Sequence, residues 1–325
     1  MRSLILLPAL TFFSQLAWAE PDLPGLDAFI DEMVTEHQFD ANELRAAFAE
    51  VEVKESILKA IARPAEKAKP WYEYRNIFMD QARINAGADF WVKHADTLKA
   101  AEQTYGVPAE IILAILGVET RFGGNMGSFR VIDALSTLAF QYPPRSPFFR
   151  SELKNFLILT REEKMPPLEP VGSYAGAMGL GQFMPSSYRA YAVDFDHDGH
   201  RDIWTNPADA IGSIANYLKE HGWQPGETIL HPTSATGDMP EALIERGLKP
   251  SVNRAEAEAS GLSLAELPAG AELFNVFSLT QRNGEELWLG RQNFYAITRY
   301  NHSRMYAKAV VELSEAIRAR YERTQ

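Results

Sequence analysis

The sequence contains no cysteine, so the fold cannot depend on disulfide bonds, and a zinc site built on thiolates is excluded. A lipid attached to an N-terminal cysteine is excluded for the same reason. Basic residues are also scarce: 32 lysines and arginines face 43 acidic residues, and the net charge of −11 argues against a general nucleic-acid binder. The 325 residues, 46% of them hydrophobic, instead predict a globular protein of about two domains.

The chain begins with features of an export signal. Met1-Arg2-Ser3 is followed by an apolar run to Leu16 and by Ala17-Trp18-Ala19. A basic start, a short apolar region and small residues at the end predict a secretory signal over residues 1–19. The run is too short for a convincing transmembrane helix, and no later stretch has the length and apolarity to span a membrane. We therefore expect a soluble protein in an exported compartment, with no membrane anchor in its sequence.

Residues 20–105 predict a helical domain, because apolar side chains recur there at helical spacing. One helix is expected from about Ala88 to Tyr105, with Gly106 as a left-handed cap. Between residues 71 and 78, aromatic side chains including Tyr74 alternate with polar ones. That composition suits a carbohydrate groove or the edge of a hydrophobic core equally well.

A single carboxylate is the strongest catalytic candidate. An apolar run from Pro108 predicts a helix buried on most of its surface, and Glu119 stands where this helix meets the Arg121-Phe122-Gly123 turn. Apolar surroundings and the negative pole of the helix would both favour the protonated acid. A protonated carboxyl group acts as a general acid. The alternative is an ordinary glutamate at the end of a core helix.

A glycine-rich stretch follows between residues 173 and 188. Its three glycines within six residues allow close approach of the backbone to a ligand or to another segment. The lysine of a phosphate-binding loop is missing. Ser173, Gln182 and the neighbouring tyrosines are donors and acceptors suited to a polar, uncharged ligand. The alternative is a turn that serves packing only.

An acidic loop from residue 194 to residue 202 has the alternation of an EF-hand, with acidic residues at positions 1, 3, 5 and 9 and glycine at position 6. Position 12 is Thr205 instead of glutamate, and Asp209 further on offers to close a longer loop. The pattern predicts a structural calcium ion bound through Asp194, Asp196 and Asp198. A solvated acidic turn is the alternative.

The remaining chain completes the domain organisation. Residues 106–223 are predicted to form the catalytic core, and residues 224–290 a small insert with a hairpin that turns at Asn283-Gly284. Residues 291–325 return to the core as helices. The fold class is therefore mainly α, of the α+β type.

Four of these motifs together resemble the lytic murein transglycosylase B family of bacterial cell-wall enzymes. They are the stretch around Glu119, the glycine-rich stretch, the acidic loop and Ile297-Thr298-Arg299-Tyr300-Asn301. The resemblance covers nearly all of the chain after residue 19 and keeps the order of the motifs. It implies a lysozyme-like helical core with an N-terminal helical domain and a small β insert. It also implies a lyase that cleaves the β-1,4 bond between N-acetylmuramic acid and N-acetylglucosamine in peptidoglycan and leaves a 1,6-anhydro sugar.

The resemblance assigns roles residue by residue. Glu119 matches the catalytic acid and base. The positions matching substrate-binding residues are Tyr74, Arg145, Ser173, Gln182, Tyr217, Tyr300, Asn301 and Tyr306. The calcium ligands implied are Asp194, Asp198, the carbonyl of His200, and Asp209. The sequence departs from the family at two places. Pro144 replaces one of the family's two adjacent arginines, and the spacing from the acidic loop to Asp209 is one residue longer than in the family.

The glycine-rich stretch and the C-terminal motif at residues 297–301 contain no acidic residue that could serve as a second catalytic carboxylate. Glycoside hydrolases normally use two carboxylates. A transglycosylase needs one, since the substrate's own 6-hydroxyl is the nucleophile. The alternatives are a lysozyme-like hydrolase, a non-catalytic peptidoglycan-binding scaffold and a calcium-binding structural protein. Calcium is the one cofactor expected, and peptidoglycan strands are the expected partner.

Overall fold

The computed structural model describes residues 22–62 and 69–324. The predicted signal at residues 1–19 lies outside the described residues. Within them the chain forms fifteen α-helices and five β-strands, which confirms the mainly helical α+β class. No helix of this described part is both long enough and apolar enough to cross a membrane.

The N-terminal part is helical throughout its described residues. Its helices are α1 Leu26–His37, α2 Ala41–Ala49, α3 Glu55–Ile61, α4 Trp71–Tyr74, α5 Gln81–Lys93 and α6 Ala95–Tyr105. The single helix expected from Ala88 to Tyr105 is wrong, because the backbone breaks at His94, where φ is −120° and ψ is 27°. The break has a tertiary cause: α5 packs against the last helix of the chain, whereas α6 packs against a helix of the central part. Gly106 does cap α6 in the left-handed conformation.

The central part surrounds a helix that is buried on nearly all sides. Its elements are α7 Ala109–Thr120, β1 Phe129–Arg130, α8 Val131–Gln141, α9 Ser146–Glu162, β2 Val171–Gly172, α10 Pro185–Tyr191 and α11 Pro207–Glu220. Every residue of α7 from Ala109 to Gly117 is buried, as its apolar sequence predicts. The short strands β1 and β2 pair antiparallel and bring the start of the glycine-rich stretch next to the loop after α7.

The insert contains a three-stranded antiparallel sheet in the order β3-β5-β4. Its elements are β3 Leu230–Thr233, α12 Glu241–Ile244, α13 Arg254–Ala259, β4 Asn275–Gln281 and β5 Gly284–Gly290. Gln281 pairs with Gly284 across the turn, which confirms the hairpin predicted from Asn283-Gly284. The chain then returns through α14 Gln292–Tyr300 and α15 Arg304–Glu322.

Two hydrophobic clusters hold these parts. The larger one runs from Leu23 to Ile317 and includes side chains from α1 to α15, with Phe277 and Leu279 of β4. The smaller one lies inside the insert, between Leu243 and Leu289. The larger cluster continues across residues 105 and 106, so the helices on both sides share one core. The domain boundaries stay predictions. For the site, the important contacts are those of α15 with α5, α7 and α14.

Candidate active site

Glu119 lies in the last turn of α7, and its side chain is half-buried. The helix ends directly after it because Arg121 and Phe122 both adopt the left-handed conformation, with φ of 53° and 59°. The Tyr306 hydroxyl, from the first turns of α15, donates a hydrogen bond to Glu119 Oε1 over 2.6 Å. One carboxyl oxygen is thus held by a residue 187 positions away in the sequence.

Buried tyrosines surround this carboxyl group. Tyr306, Tyr74 and Tyr217 are buried, and the pKa values of Tyr300 and Tyr306 are raised well above 10, first by burial and then by the negative charge of Glu119. Burial likewise raises the pKa of Tyr217 to about 12. Tyr74 adds to the shift at Tyr306 and therefore lies close to it. The hydroxyls of Tyr217, Tyr300 and Tyr306 therefore remain neutral donors at any physiological pH.

Two of the tyrosines donate hydrogen bonds to backbone carbonyls. The Tyr300 hydroxyl donates to the Gly181 carbonyl, and the Tyr217 hydroxyl donates to the Arg299 carbonyl, each over 2.5 Å. Their rings pack edge to face with centroids 4.8 Å apart. The tyrosines predicted as groove residues therefore form one connected group with Glu119.

Ser173 and Gln182 organise the glycine-rich stretch from within. The Ser173 hydroxyl accepts hydrogen bonds from the backbone N–H groups of Ala175 and Ala177. The Gln182 amide donates to the carbonyls of Gly179 and Met126. These bonds give the stretch a fixed shape, and Ser173 keeps its hydroxyl hydrogen for another acceptor.

Glycine is required at one position of this stretch and favoured at another. At Gly179, φ is 69° and an added Cβ would stand 2.5 Å from the Ile203 carbonyl oxygen. At Gly181, an added Cβ would stand 2.8 Å from the Tyr300 hydroxyl, so this side chain would have to shift. The backbone of the stretch therefore packs closely against Tyr300 and against the residue that follows the acidic loop.

Sequence reasoning missed a residue that connects these segments. The buried Thr120 hydroxyl donates to the Leu180 carbonyl over 2.8 Å and accepts from the Gly123 N–H. Leu180 in turn donates its N–H to the Ile203 carbonyl over 2.9 Å. A signal existed, because Thr120 is part of the Glu119 motif, but nothing in the sequence indicated its partner.

Two predicted groove residues lie at the surface. Arg145 is exposed, and its guanidinium lies 4.5 Å from the ring centroid of Phe148 and 5.2 Å from that of Phe149. Asn301 is exposed at the end of α14, and its carbonyl accepts from the Ser303 N–H. Their roles toward substrate remain predictions.

The acidic loop brings three carboxylates together. Oxygens of Asp194, Asp196 and Asp209 lie within 4.8 Å of one another. Asp209 is fully buried and accepts from the N–H groups of Phe195 and Asp202, each over 2.7 Å. Asp198, a predicted ligand, has an oxygen that accepts from the His200 N–H.

Among the three clustered carboxylates, Asp209 has a raised pKa. Burial raises its pKa to about 6; Asp196 and Asp194 add to the shift, and the two backbone N–H groups oppose it. Among the recorded ion pairs of residues 22–62 and 69–324, none joins an arginine, lysine or histidine to Asp194, Asp196 or Asp209. Three hard oxygen donors without a balancing cation are the donor set that calcium prefers.

The chain matches known proteins in sequence and in fold. A family model described as the transglycosylase SLT domain matches residues 23–315. Membrane-bound lytic murein transglycosylase B of Escherichia coli K12 is 42% identical over 303 residues, which cover 90% of this chain and 82% of that protein.

Solved structures match as well. The soluble lytic transglycosylase SltB1 from Pseudomonas aeruginosa is 51% identical, with a TM-score of 0.86 and coverage of 91% of this chain and 99% of that one. The Escherichia coli lytic transglycosylase Slt35, solved in complex with calcium, is 41% identical, with a TM-score of 0.83 and coverage of 92% and 94%. The chain belongs to the lytic murein transglycosylase B family, within the transglycosylase SLT domain enzymes.

Proposed function

We propose that Glu119 is the single acid and base with which this lytic transglycosylase cleaves the β-1,4 bond between N-acetylmuramic acid and N-acetylglucosamine. The observation that carries the proposal is the 2.6 Å hydrogen bond from Tyr306 to Glu119 Oε1 at the end of a buried helix. The bond fixes the orientation of the carboxyl group. The glycine-rich stretch, whose Gly181 carbonyl accepts a hydrogen bond from Tyr300, would supply a wall for the sugar.

The reaction has two proton transfers and needs one carboxyl group. Glu119, protonated, gives its proton to the glycosidic oxygen as the bond from this oxygen to the anomeric carbon breaks. The ionised Glu119 then takes the proton of the 6-hydroxyl while that oxygen bonds to the same carbon. The product is a 1,6-anhydro-N-acetylmuramic acid end, and no water is consumed. Holding the 6-hydroxyl near the anomeric carbon gives it a large effective concentration over water.

Several residues are proposed to bind the glycan. Tyr74, Tyr300 and Tyr306 would line the cleft near the scissile bond, with Tyr217 supporting Tyr300. Ser173 would donate its hydroxyl hydrogen to a sugar, and Gln182 would present its amide oxygen. Asn301 would contact the sugar from the end of α14, and Arg145 would meet a carboxylate of the peptide that the strand carries.

A structural calcium ion is proposed for the acidic loop. Asp194, Asp196 and Asp209 would supply carboxylate oxygens, with Asp198 and the His200 carbonyl as further ligands. The clustered carboxylates and the raised pKa of Asp209 support the proposal. The ion would offset the negative charge of the loop and thus stabilise it; the proton transfers belong to Glu119.

The proposed location is the periplasm, reached through the signal at residues 1–19. The lytic activity acts on peptidoglycan, which lies in the bacterial envelope, and this supports an exported protein.

Digestion of purified sacculi followed by mass spectrometry of the soluble products tests the function. Anhydro-muropeptides are the expected result. Reducing ends would identify a hydrolase and overturn ring closure. Co-sedimentation with sacculi without release of soluble fragments would instead indicate a binding scaffold.

A further inference from the structure

A polar cavity of about 740 Å³ opens between the N-terminal helical part and the tip of the β4–β5 hairpin. Tyr72, Arg75 and Asn76 form one wall, and residues 281–286 form the other. The cavity's walls come from two segments about 200 positions apart in the sequence, so it exists only because the insert folds back on α4.

The cavity wall and Glu119 are connected through α15, which pairs with Arg75 through Glu312 and with Glu119 through Tyr306. Tyr74, which lies near Tyr306, belongs to the same short segment as the wall residues. The next residue, Arg75, forms an ion pair with Glu312 of α15. Glu312 is six positions after Tyr306, which is about 9 Å along a helix. Three residues of an extended peptide span about 10 Å, which is comparable to the rise along α15 from Tyr306 to the partner of Arg75.

The hairpin is fixed in place against α15. Lys308 is buried, forms an ion pair with Glu312 and lies 4.1 Å from the ring centroid of Trp288 in β5. Arg75 and Lys308 thus share one carboxylate, which ties α4, α15 and the hairpin together. The cavity is therefore formed before any ligand arrives, and a ligand does not have to order it.

The walls offer groups that recognise carboxylates and amides. The guanidinium of Arg282 lies 5.1 Å from the ring centroid of Tyr72, and in the described part of the chain it enters no recorded ion pair. Asn76, Gln281 and Asn283 add side-chain amides. Glu285 and Glu286 also line the cavity; the first accepts from the Thr280 hydroxyl and the second from the Trp288 indole.

We propose that this cavity binds the carboxylate-bearing peptide attached to the glycan strand, with Arg282 pairing its carboxylate. The proposal rests on the proposed function for the identity of the strand. A sugar fits less well, because the guanidinium covers one face of Tyr72, the only aromatic ring among the cavity's wall residues in the described structure. The two glutamates suit an amino group of the same peptide. The β insert thereby acquires a role in substrate selection.

The test measures affinity in the Glu119→Gln background, so that the substrate stays intact. Co-sedimentation is followed with intact sacculi and with sacculi stripped of peptides by an amidase. Arg282→Ala removes an exposed charge at the hairpin tip and should not disturb folding. Lys249→Ala removes an exposed charge from the same insert, outside the cavity, as the matched control.

Intact sacculi are expected to bind more tightly than stripped ones. Arg282→Ala should raise the dissociation constant for intact sacculi about tenfold and leave the value for stripped sacculi unchanged. Lys249→Ala should change neither. The proposal would be overturned if Arg282→Ala lost the same affinity for intact and stripped sacculi, or if it lost no affinity for intact sacculi. Product analysis of the wild-type enzyme tests the lytic activity separately. A negative binding result would therefore overturn only the peptide site, and a negative product result would overturn the proposed activity.

Discussion

The Thr120 hydroxyl donates a hydrogen bond to the Leu180 carbonyl over 2.8 Å, across 60 residues of sequence. Thr120 directly follows Glu119, and Leu180 stands between the glycines of the glycine-rich stretch. The Leu180 N–H continues this connection to Ile203, beyond the acidic loop. The segment that carries Glu119, the glycine-rich stretch and the residue that follows the acidic loop are therefore linked by two successive hydrogen bonds.

Thr120→Val keeps the shape of the side chain and removes its hydroxyl. The Leu180 carbonyl and the Gly123 N–H then lose their partner in a buried place, so the free energy of unfolding should fall by about 1–3 kcal/mol. The turnover on sacculi should fall as well, because Glu119 and the glycine-rich stretch are no longer held together. Denaturant unfolding and the rate of product release measure the two effects. Thr120→Ser keeps the hydroxyl and should retain more of both; equal losses in Val and Ser variants would contradict the role of the hydrogen bond.

Glu119→Gln removes the proton donor and preserves the size of the side chain. General acid and base catalysis contributes about 10²- to 10⁴-fold, so release of anhydro-muropeptides should fall by this factor. The melting temperature should stay near that of the wild type. Glu110→Gln is the matched control: it lies in the first turn of the same helix and pairs with Arg318. It should retain activity, and digestion by Glu119→Gln at the wild-type rate would refute the assignment.

Tyr306→Phe removes the hydroxyl that orients Glu119 and leaves the ring in place. Losing one hydrogen bond to a charged group costs about 1.5–3 kcal/mol, and we expect a tenfold to hundredfold lower kcat. Tyr321→Phe, on the same helix, is the control, because the Tyr321 ring stacks on Trp91 with centroids 4.4 Å apart. Steady-state digestion of sacculi gives the kcat of each variant. A Tyr306→Phe variant with unchanged kcat would show that the orientation of Glu119 does not depend on this bond.

Calcium should stabilise the protein in a way that depends on pH. The pKa of Asp209 is raised from 3.8 to about 6, so the folded state binds a proton more tightly than the unfolded chain. In chelator, stability should therefore fall as pH rises from about 4 to 6. Calcium needs the ionised carboxylate, so its effect should be largest above pH 6 and shrink as pH falls.

At a hundredfold excess over its dissociation constant, calcium adds about 2.7 kcal/mol, roughly 5 °C in melting temperature. Thermal unfolding with calcium and with chelator between pH 4 and 8 measures this increase in melting temperature. Asp196→Asn should lose most of the gain, whereas Asp238→Asn, an exposed aspartate outside the loop, should keep it. A melting temperature unaffected by calcium at pH 7.5 would exclude a structural ion.

The sequence predicts features that depend on local pattern. The apolar run before Glu119 gives a buried helix, and Asn283-Gly284 gives the observed hairpin turn. The break at His94 was not predictable, since it follows from which helices α5 and α6 pack against.

In the candidate site, the family resemblance identified the tyrosines, and the structure gathers Tyr300 and Tyr306 around Glu119. The partner of Thr120 depends on a contact 60 residues away, which no spacing rule encodes. In the acidic loop, too, the sequence pattern does not predict which side chains come together. Its backbone turns at His197, where φ is 62°, and the converging carboxylates are Asp194, Asp196 and Asp209, without Asp198.

Gly181 and the Tyr300 hydroxyl are in close contact, and under the proposed function they form the floor of the sugar-binding cleft. An added side chain at Gly181 would displace Tyr300, so substitution there offers little scope for adjusting which strands are accepted. The proposed rim, made of residues 72–76 and the hairpin tip, carries the exposed Asn76 and Arg282 and the half-buried Tyr72. If the cavity binds the peptide as proposed, preference for particular strands can be re-engineered at these three positions while the chemistry at Glu119 stays constant.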